Sequence, residues 1–224
     1  MRKVSQRTCK NAECKAKFTP NFPNEIVCSG NCKIKYAIQQ GRKKLEAKKK
    51  EEQKAFKEKK EAFRAQDPKW VKPKLQTELQ AIARTIDQGL PCLATGRAGG
   101  QMHGGHVFSK GAHPQMRYNL HNIHRQSAQS NHSHNDDGLL REKLEQEYGT
   151  KYLHYLRSLR KEEPVKLSAQ ELYDKYLQAR AAHRALKKGI ENIPKPLPSE
   201  LRIKLREHLN QTLSIVISNY LNHY

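Results

Sequence analysis

Residues 91–137 read PCLATGRAGGQMHGGHVFSKGAHPQMRYNLHNIHRQSAQSNHSHNDD, and the fold of the chain turns on this stretch. It carries seven histidines between His103 and His134. Glycine-rich turns flank a short run, MHGGHVF (102–108), which reads as a strand. MRYNLHNI (116–123) reads as a second extended stretch, and a helix is expected to begin near Ser127. Strand, loop, strand, helix, with a His at the end of the first strand and an Asn in the second, is a ββα layout.

Those residue types suit one kind of chemistry. Phosphodiester hydrolysis needs a base to activate water and a cation to offset charge in the transition state. Histidine accepts a proton near neutral pH. A central asparagine can hold that imidazole, or the loop carrying it, through hydrogen bonds. Short His, Asp or Asn ligands leave positions open on magnesium, manganese or another divalent ion. An isolated exposed histidine is more often surface than ligand, and His113, His121 and His132 fit that description.

Upstream, Cys9, Cys14, Cys28 and Cys32 follow a C-x4-C-x13-C-x3-C pattern. Two close pairs joined by a short loop are what tetrahedral zinc needs. Four thiolates leave no place for a water nucleophile, so this zinc is expected to be structural. Phe18, Phe22 and Ile26 are candidates to cover one side of it, and Lys10, Lys15, Lys17, Lys33 and Lys35 ring it. The odd, clustered cysteines suit a reducing cytoplasm better than a disulfide framework.

Lys33 to Arg64 holds thirteen Lys or Arg and five Glu, with one Gly and no Pro, and favours a helix about 50 Å long. Its apolar pairs, Ile38 with Leu45 and Phe56 with Phe63, are out of register, so a solvated spacer competes with a phosphate-binding or dimerising rod. Gln66-Asp67-Pro68 ends it. With 43 Lys and Arg against 22 Asp and Glu, the net charge of +21 points to a polyanion. No segment approaches ~20 apolar residues, and no apolar segment follows Met1, so neither a membrane nor export is expected.

Pro73 is expected to open a helix whose face carries Leu75, Leu79, Ile82 and Ile86, with Gly89 stopping it. Further helices are expected from Leu139 to Tyr148, over Tyr152–Leu159, after the capping box Ser168-x-x-Glu171, and from Ser199. The last has an apolar stripe of Leu201, Leu205, Leu209, Leu213, Val216 and Tyr220, which either docks on its own chain or pairs a homodimer.

Taken together, RTCKNAECKAKFTP, the charged helix, PC-x-x-x-GR, H-x-G-H, RYNLHNIHRQ and Asn131 resemble the phage NinG/Rap family of recombination proteins, linked to cleavage of Holliday junctions and branched DNA. The resemblance implies His106 as an HNH-like general base, Asn122 as the central asparagine and Asn131 as a metal ligand. Many family members carry a second zinc on two cysteine pairs. Here those positions hold Cys92, Thr95, Ser127 and Ser130, so that zinc is not expected, and packing or hydrogen bonds from Thr and Ser are expected instead. Gly105 stands where many HNH enzymes have a metal-binding Asp. His103 is the candidate replacement, in competition with His124, His132 and His134.

The expected class is α+β, mostly α. A zinc-knuckle module (1–40) leads into a charged helical connector (41–68), an HNH-like ββα-metal core (69–160) and a C-terminal helical region (161–224). The expected function is metal-dependent cleavage of branched or four-way DNA. A non-catalytic DNA-binding accessory protein with a decayed core is the alternative. An RNA-binding zinc protein is disfavoured by the scarcity of stacking aromatics among the basic residues.

Overall fold

A computed structural model describes residues 5–133, 137–215 and 220. His134 and Val216 lie outside the described residues. The chain divides into two compact units, Met1–Ala62 and Phe63–Tyr224. Among the described residues, no helix is long and apolar enough to cross a membrane.

In the first unit, β1 (Arg7–Thr8) pairs antiparallel with β2 (Lys17–Phe18), and the long helix α1 runs Gly30–Ala65. Ile38, Leu45 and Phe56 are all more than half exposed, so α1 is a solvated helix along these positions. Helix-favouring composition sustains it, with i,i+4 pairs Lys48–Glu52 and Lys54–Glu58 each at 3.9 Å. Phe22, a candidate to cover the cysteines, is 67% exposed.

The second unit begins with α2 (Pro68–Ile86). The helix starts five residues before Pro73, because the Asp67 carboxylate caps it by accepting from Lys69 N–H at 2.8 Å and Pro68 takes the first helical position. Pro73 lies inside it. Leu75, Leu79, Ile82 and Ile86 are fully buried, each contributing about 1.5–3 kcal/mol of burial. They pack with Leu172, Ala179 and Leu186 of α6 (Ala169–Gly189) and Leu209 and Leu213 of α7 (Ser199–Leu213). The Ser168–Glu171 capping box forms as expected. A second core joins Cys92, Val107, Phe108 and Met116 to α4 (Asp137–Tyr148) and α5 (Thr150–Ser158).

Between these cores lies the antiparallel hairpin β3 (Met102–His106) and β4 (Ile123–Ser127), followed by α3 (Ala128–Ser133). Residues 116–122 are not the extended stretch the sequence suggested. They pass through two 3-10 turns, Pro114–Met116 and Leu120–Asn122, and the strand starts only at Ile123. The Asn119 side chain forces the second turn by accepting from His121 N–H. Gly104 meets α2 closely: an added Cβ would sit 2.7 Å from the Gln80 carbonyl oxygen.

α7 docks on its own chain, and polar side chains do much of the docking. Arg206, fully buried, grips both Asp87 carboxylate oxygens at 2.8 and 2.7 Å and donates to the Leu120 carbonyl. Glu207 accepts from His121 Nε2 at 3.0 Å while His121 Nδ1 accepts from the Tyr152 hydroxyl. His121 is thus wholly buried rather than surface. Asp87→Ala strands the Arg206 charge and is expected to cost about 3–5 kcal/mol, read by chemical denaturation. Replacing both partners with apolar residues is expected to cost less, and equal losses would count against the ion pair as the cause.

Burial holds His106, His121 and His124 below the ordinary histidine pKa. The unfolded chain therefore binds more protons once pH drops below about 6.5. Stability is full above that value and is lost as pH falls toward the folded-state pKa values. The expected slope is up to about 1.4 kcal/mol per pH unit for each histidine, measurable as Tm between pH 7.5 and 5.

Candidate functional site

The connection between β1 and β2 is a tight turn that presents two cysteines. Cys9 N–H donates to the Ala16 carbonyl at 2.8 Å, and Cys14 and Lys15 N–H both donate to the Asn11 carbonyl. The other pair is set by the start of α1. Cys28 precedes it, and Cys32 lies in its first turn, where its N–H donates to Ser29 Oγ. The four sulfurs lie within 4.8 Å of one another. Cys28 Sγ is 3.6 Å from both Cys14 and Cys32. A tetrahedral zinc with Zn–S near 2.3 Å places its sulfurs about 3.8 Å apart, so the cluster fits a structural zinc. The buried Asn11 amide donates to Cys32 Sγ at 3.4 Å and holds that thiol down near about 6. Hydrogen bonds from Cys14 and Cys32 push Cys28 up to about 12. Gln39 donates to Asn11 Oδ1, locking the amide in place. Sequence reading passed over Asn11, although it lies between the first two cysteines.

On the hairpin, His106 ends β3. Its Nε2–H donates to the Arg117 carbonyl at 3.0 Å, which leaves Nδ1 as an acceptor without a hydrogen-bond partner among the described residues. Burial, then the charges of Lys110 and Arg117, lower its pKa to about 4. The ring is therefore neutral at pH 7. The Gln76 amide of α2 lies 3.2 Å from the same Nε2, and Gln76 Oε1 is otherwise buried without a partner. Both groups are satisfied when Oε1 faces the ring and shares the Nε2–H.

The Asn122 side chain makes no hydrogen bond to His106. Its amide donates to the carbonyls of Phe108 and Met116 and accepts from Phe108 N–H at 2.8 Å. It clasps both ends of the loop that leaves His106, so it fixes that loop through the backbone. Asn131 approaches His103, with Nδ2 3.4 Å from His103 Nδ1. A Cβ on Gly105 would sit 2.6 Å from Asn131 Oδ1 and 2.4 Å from Gln126 Cδ. Two amides thus fill the space beside Gly105. Strand alternation puts His103, Gly105 and the cross-strand partner Gln126 on one face and His106 on the other. Gln126 Nε2 is buried there without a partner. His124 is committed elsewhere, between the His121 carbonyl and Arg206.

With this geometry in place, comparison with known proteins is informative. The family described as Bacteriophage Lambda NinG protein matches residues 1–191. The chain belongs to the NinG family. It is 33% identical to the protein ninG of Escherichia phage lambda over 145 residues, 56% of this chain and 67% of that protein. Against the protein ninG of Salmonella phage P22 the identity is 34% over the same coverage. No solved structure matches. The NinG match takes in both the cysteine cluster and the hairpin, whereas α7 and its Arg206 lie beyond it.

Within this NinG chain, hydrogen bonds hold together the positions around Cys92. Burial would raise the Cys92 thiol, but hydrogen bonds from Thr95 and Ser127 outweigh it and bring the pKa to about 7. Ser130 N–H donates to Ser127 Oγ at 3.1 Å, and the Ser130 hydroxyl has no partner among the described residues.

Proposed function

We propose that the protein is a divalent-metal-dependent DNA endonuclease with an HNH-like ββα-metal core, acting on branched recombination intermediates. One observation carries this reading: a neutral imidazole, anchored through Nε2, keeps Nδ1 open as a proton acceptor at the end of the first strand of a ββα unit. His106 Nδ1 takes the proton from the attacking water. The Arg117 carbonyl and Gln76 hold the ring and stabilise the imidazolium that forms. Asn122 fixes the loop. His103 and Asn131 are the proposed ligands for magnesium or manganese, with Gln126 beside them. The bound ion would supply charge stabilisation for the phosphorane-like transition state.

Basic surface accounts for affinity without sequence readout, so binding weakens steeply with salt. The test is cleavage of a labelled four-way junction beside a matched linear duplex, with magnesium or manganese. Metal-dependent cutting that prefers the junction sustains the proposal. A second reading, a non-catalytic DNA-binding accessory protein, is favoured by Gly105, which offers no carboxylate to a cation. Tight junction binding with no cutting under either metal selects it.

A further inference from the structure

A cleft of about 510 Å3 shares only Arg117 with the residues assigned above. Its walls come from the start of α2, the turn at 114–118 and the chain entering α6, and they carry Lys72, Arg117, Tyr118 and Lys166. Lys72 lies one helical turn from Gln76, and the Arg117 carbonyl is the one that receives His106 Nε2–H. The cleft therefore adjoins the candidate base on the α2 side.

Its charge is one-sided. Lys72, Arg117 and Lys166 face it with no carboxylate in the lining, and none makes an ion pair among the described residues. Glu171, at the start of α6, is turned onto Ser168 N–H and Oγ in the capping box. A ligand anion would supply the counter-charge that the lining lacks. Val165, Leu167 and Leu172 add apolar surface to the lining, with the half-buried Tyr118 among them. Cations and apolar side chains lining one cleft match a phosphate attached to a sugar and base better than a free ion.

We propose that this cleft is a subsite for one nucleotide of the bound DNA strand, with Lys72, Arg117 and Lys166 on its phosphodiester and Tyr118 against its sugar or base. The inference rests on the DNA endonuclease reading and extends it to the path of the strand past His106.

The experiment uses the full chain with K72Q/K166Q, K72R/K166R and a control, K187Q/K188Q, at the end of α6. Thermal melting first establishes that each folds, with the single variants K72Q and K166Q in reserve. For K72Q/K166Q, KM for a labelled four-way junction is expected to rise roughly tenfold with kcat within about twofold, the pattern expected when uniform binding is removed. The slope of log binding constant against log salt is expected to fall by about 2, roughly one unit for each lysine that no longer neutralises a phosphate. The arginine pair and the control are expected to keep the wild-type slope. An unchanged KM and slope in K72Q/K166Q, or an equal fall in the control, overturns the subsite. If the wild type binds but cuts no DNA, the endonuclease reading fails separately. The slope still decides the cleft: a fall of about 2 confined to K72Q/K166Q sustains it, and no fall overturns it.

Discussion

His106→Ala is expected to lower the rate of junction cleavage by about 10²–10⁴-fold while leaving junction affinity nearly unchanged. The size follows from what the residue does. Among the described residues, His121 and His124 are bound on both ring nitrogens and His103 Nδ1 lies against Asn131, whereas His106 Nδ1 has no hydrogen-bond partner. Affinity survives because a ring neutral at pH 7 contributes no charge to phosphate binding. The pKa near about 4 sets the sign of the pH dependence: activity falls as pH drops through that region and the ring takes a proton, and it is held above it. His106→Gln keeps much of the shape and is expected to be as inactive. Added imidazole, small enough to enter the space left by alanine, is expected to restore part of the rate to His106→Ala only. Equal loss of cleavage and binding would remove the base assignment, and so would wild-type rates in His106→Gln.

The legible parts of the site are those that act through their own side-chain chemistry. His106 and Asn122 were singled out through the family resemblance, and the cysteine pattern announced a metal cluster that the sulfur positions fit. Arg117 was illegible because it holds His106 with its backbone carbonyl, which every residue possesses. Gln76 reaches the ring from thirty residues away, and its only sequence signal is a polar residue beside the Leu75–Leu79 stripe. Elements were readable where one periodicity ruled, as in α2, α4 and α6. They were misread where two local signals competed. Pro73 looked like a helix start, but Asp67-Pro68 supplies both a capping carboxylate and a proline at the first position, and it wins. Apolar spacing in 116–123 suggested a strand, but the Asn119 cap and the burial of His121 and Asn122 demand turns. The docking of α7 was legible in its stripe, but its polar half was not. Its leucines were visible, but Arg206 and Asp87 are 119 residues apart, and no periodic pattern marks a charge that has a buried partner so distant.

Removing zinc is expected to unfold the cysteine module while the second unit keeps its helices. Among the described residues up to position 40, only Cys9, Asn11, Pro20 and Cys32 are buried, and none is a large apolar side chain. A two-residue β1–β2 ladder and the turn bonds around Asn11 cannot offset the cost of ordering this stretch, at ~1–2 kcal/mol per residue for the backbone alone. Zinc coordination, worth about 10–16 kcal/mol in small finger peptides at neutral pH, is the term large enough to do so. Affinity is expected to weaken as pH falls, because each thiol must lose its proton to bind. A chelator is therefore expected to release one zinc per chain and to bring amides in residues 7–33 to rapid hydrogen exchange. Amides in α2 and α6, packed around Leu75, Leu79 and Leu186, are expected to stay protected. Cys14→Ser is expected to reproduce the same local loss without chelator. Unchanged exchange in residues 7–33 after complete zinc removal would mean that the module is held by packing, which its exposed side chains give no means to provide.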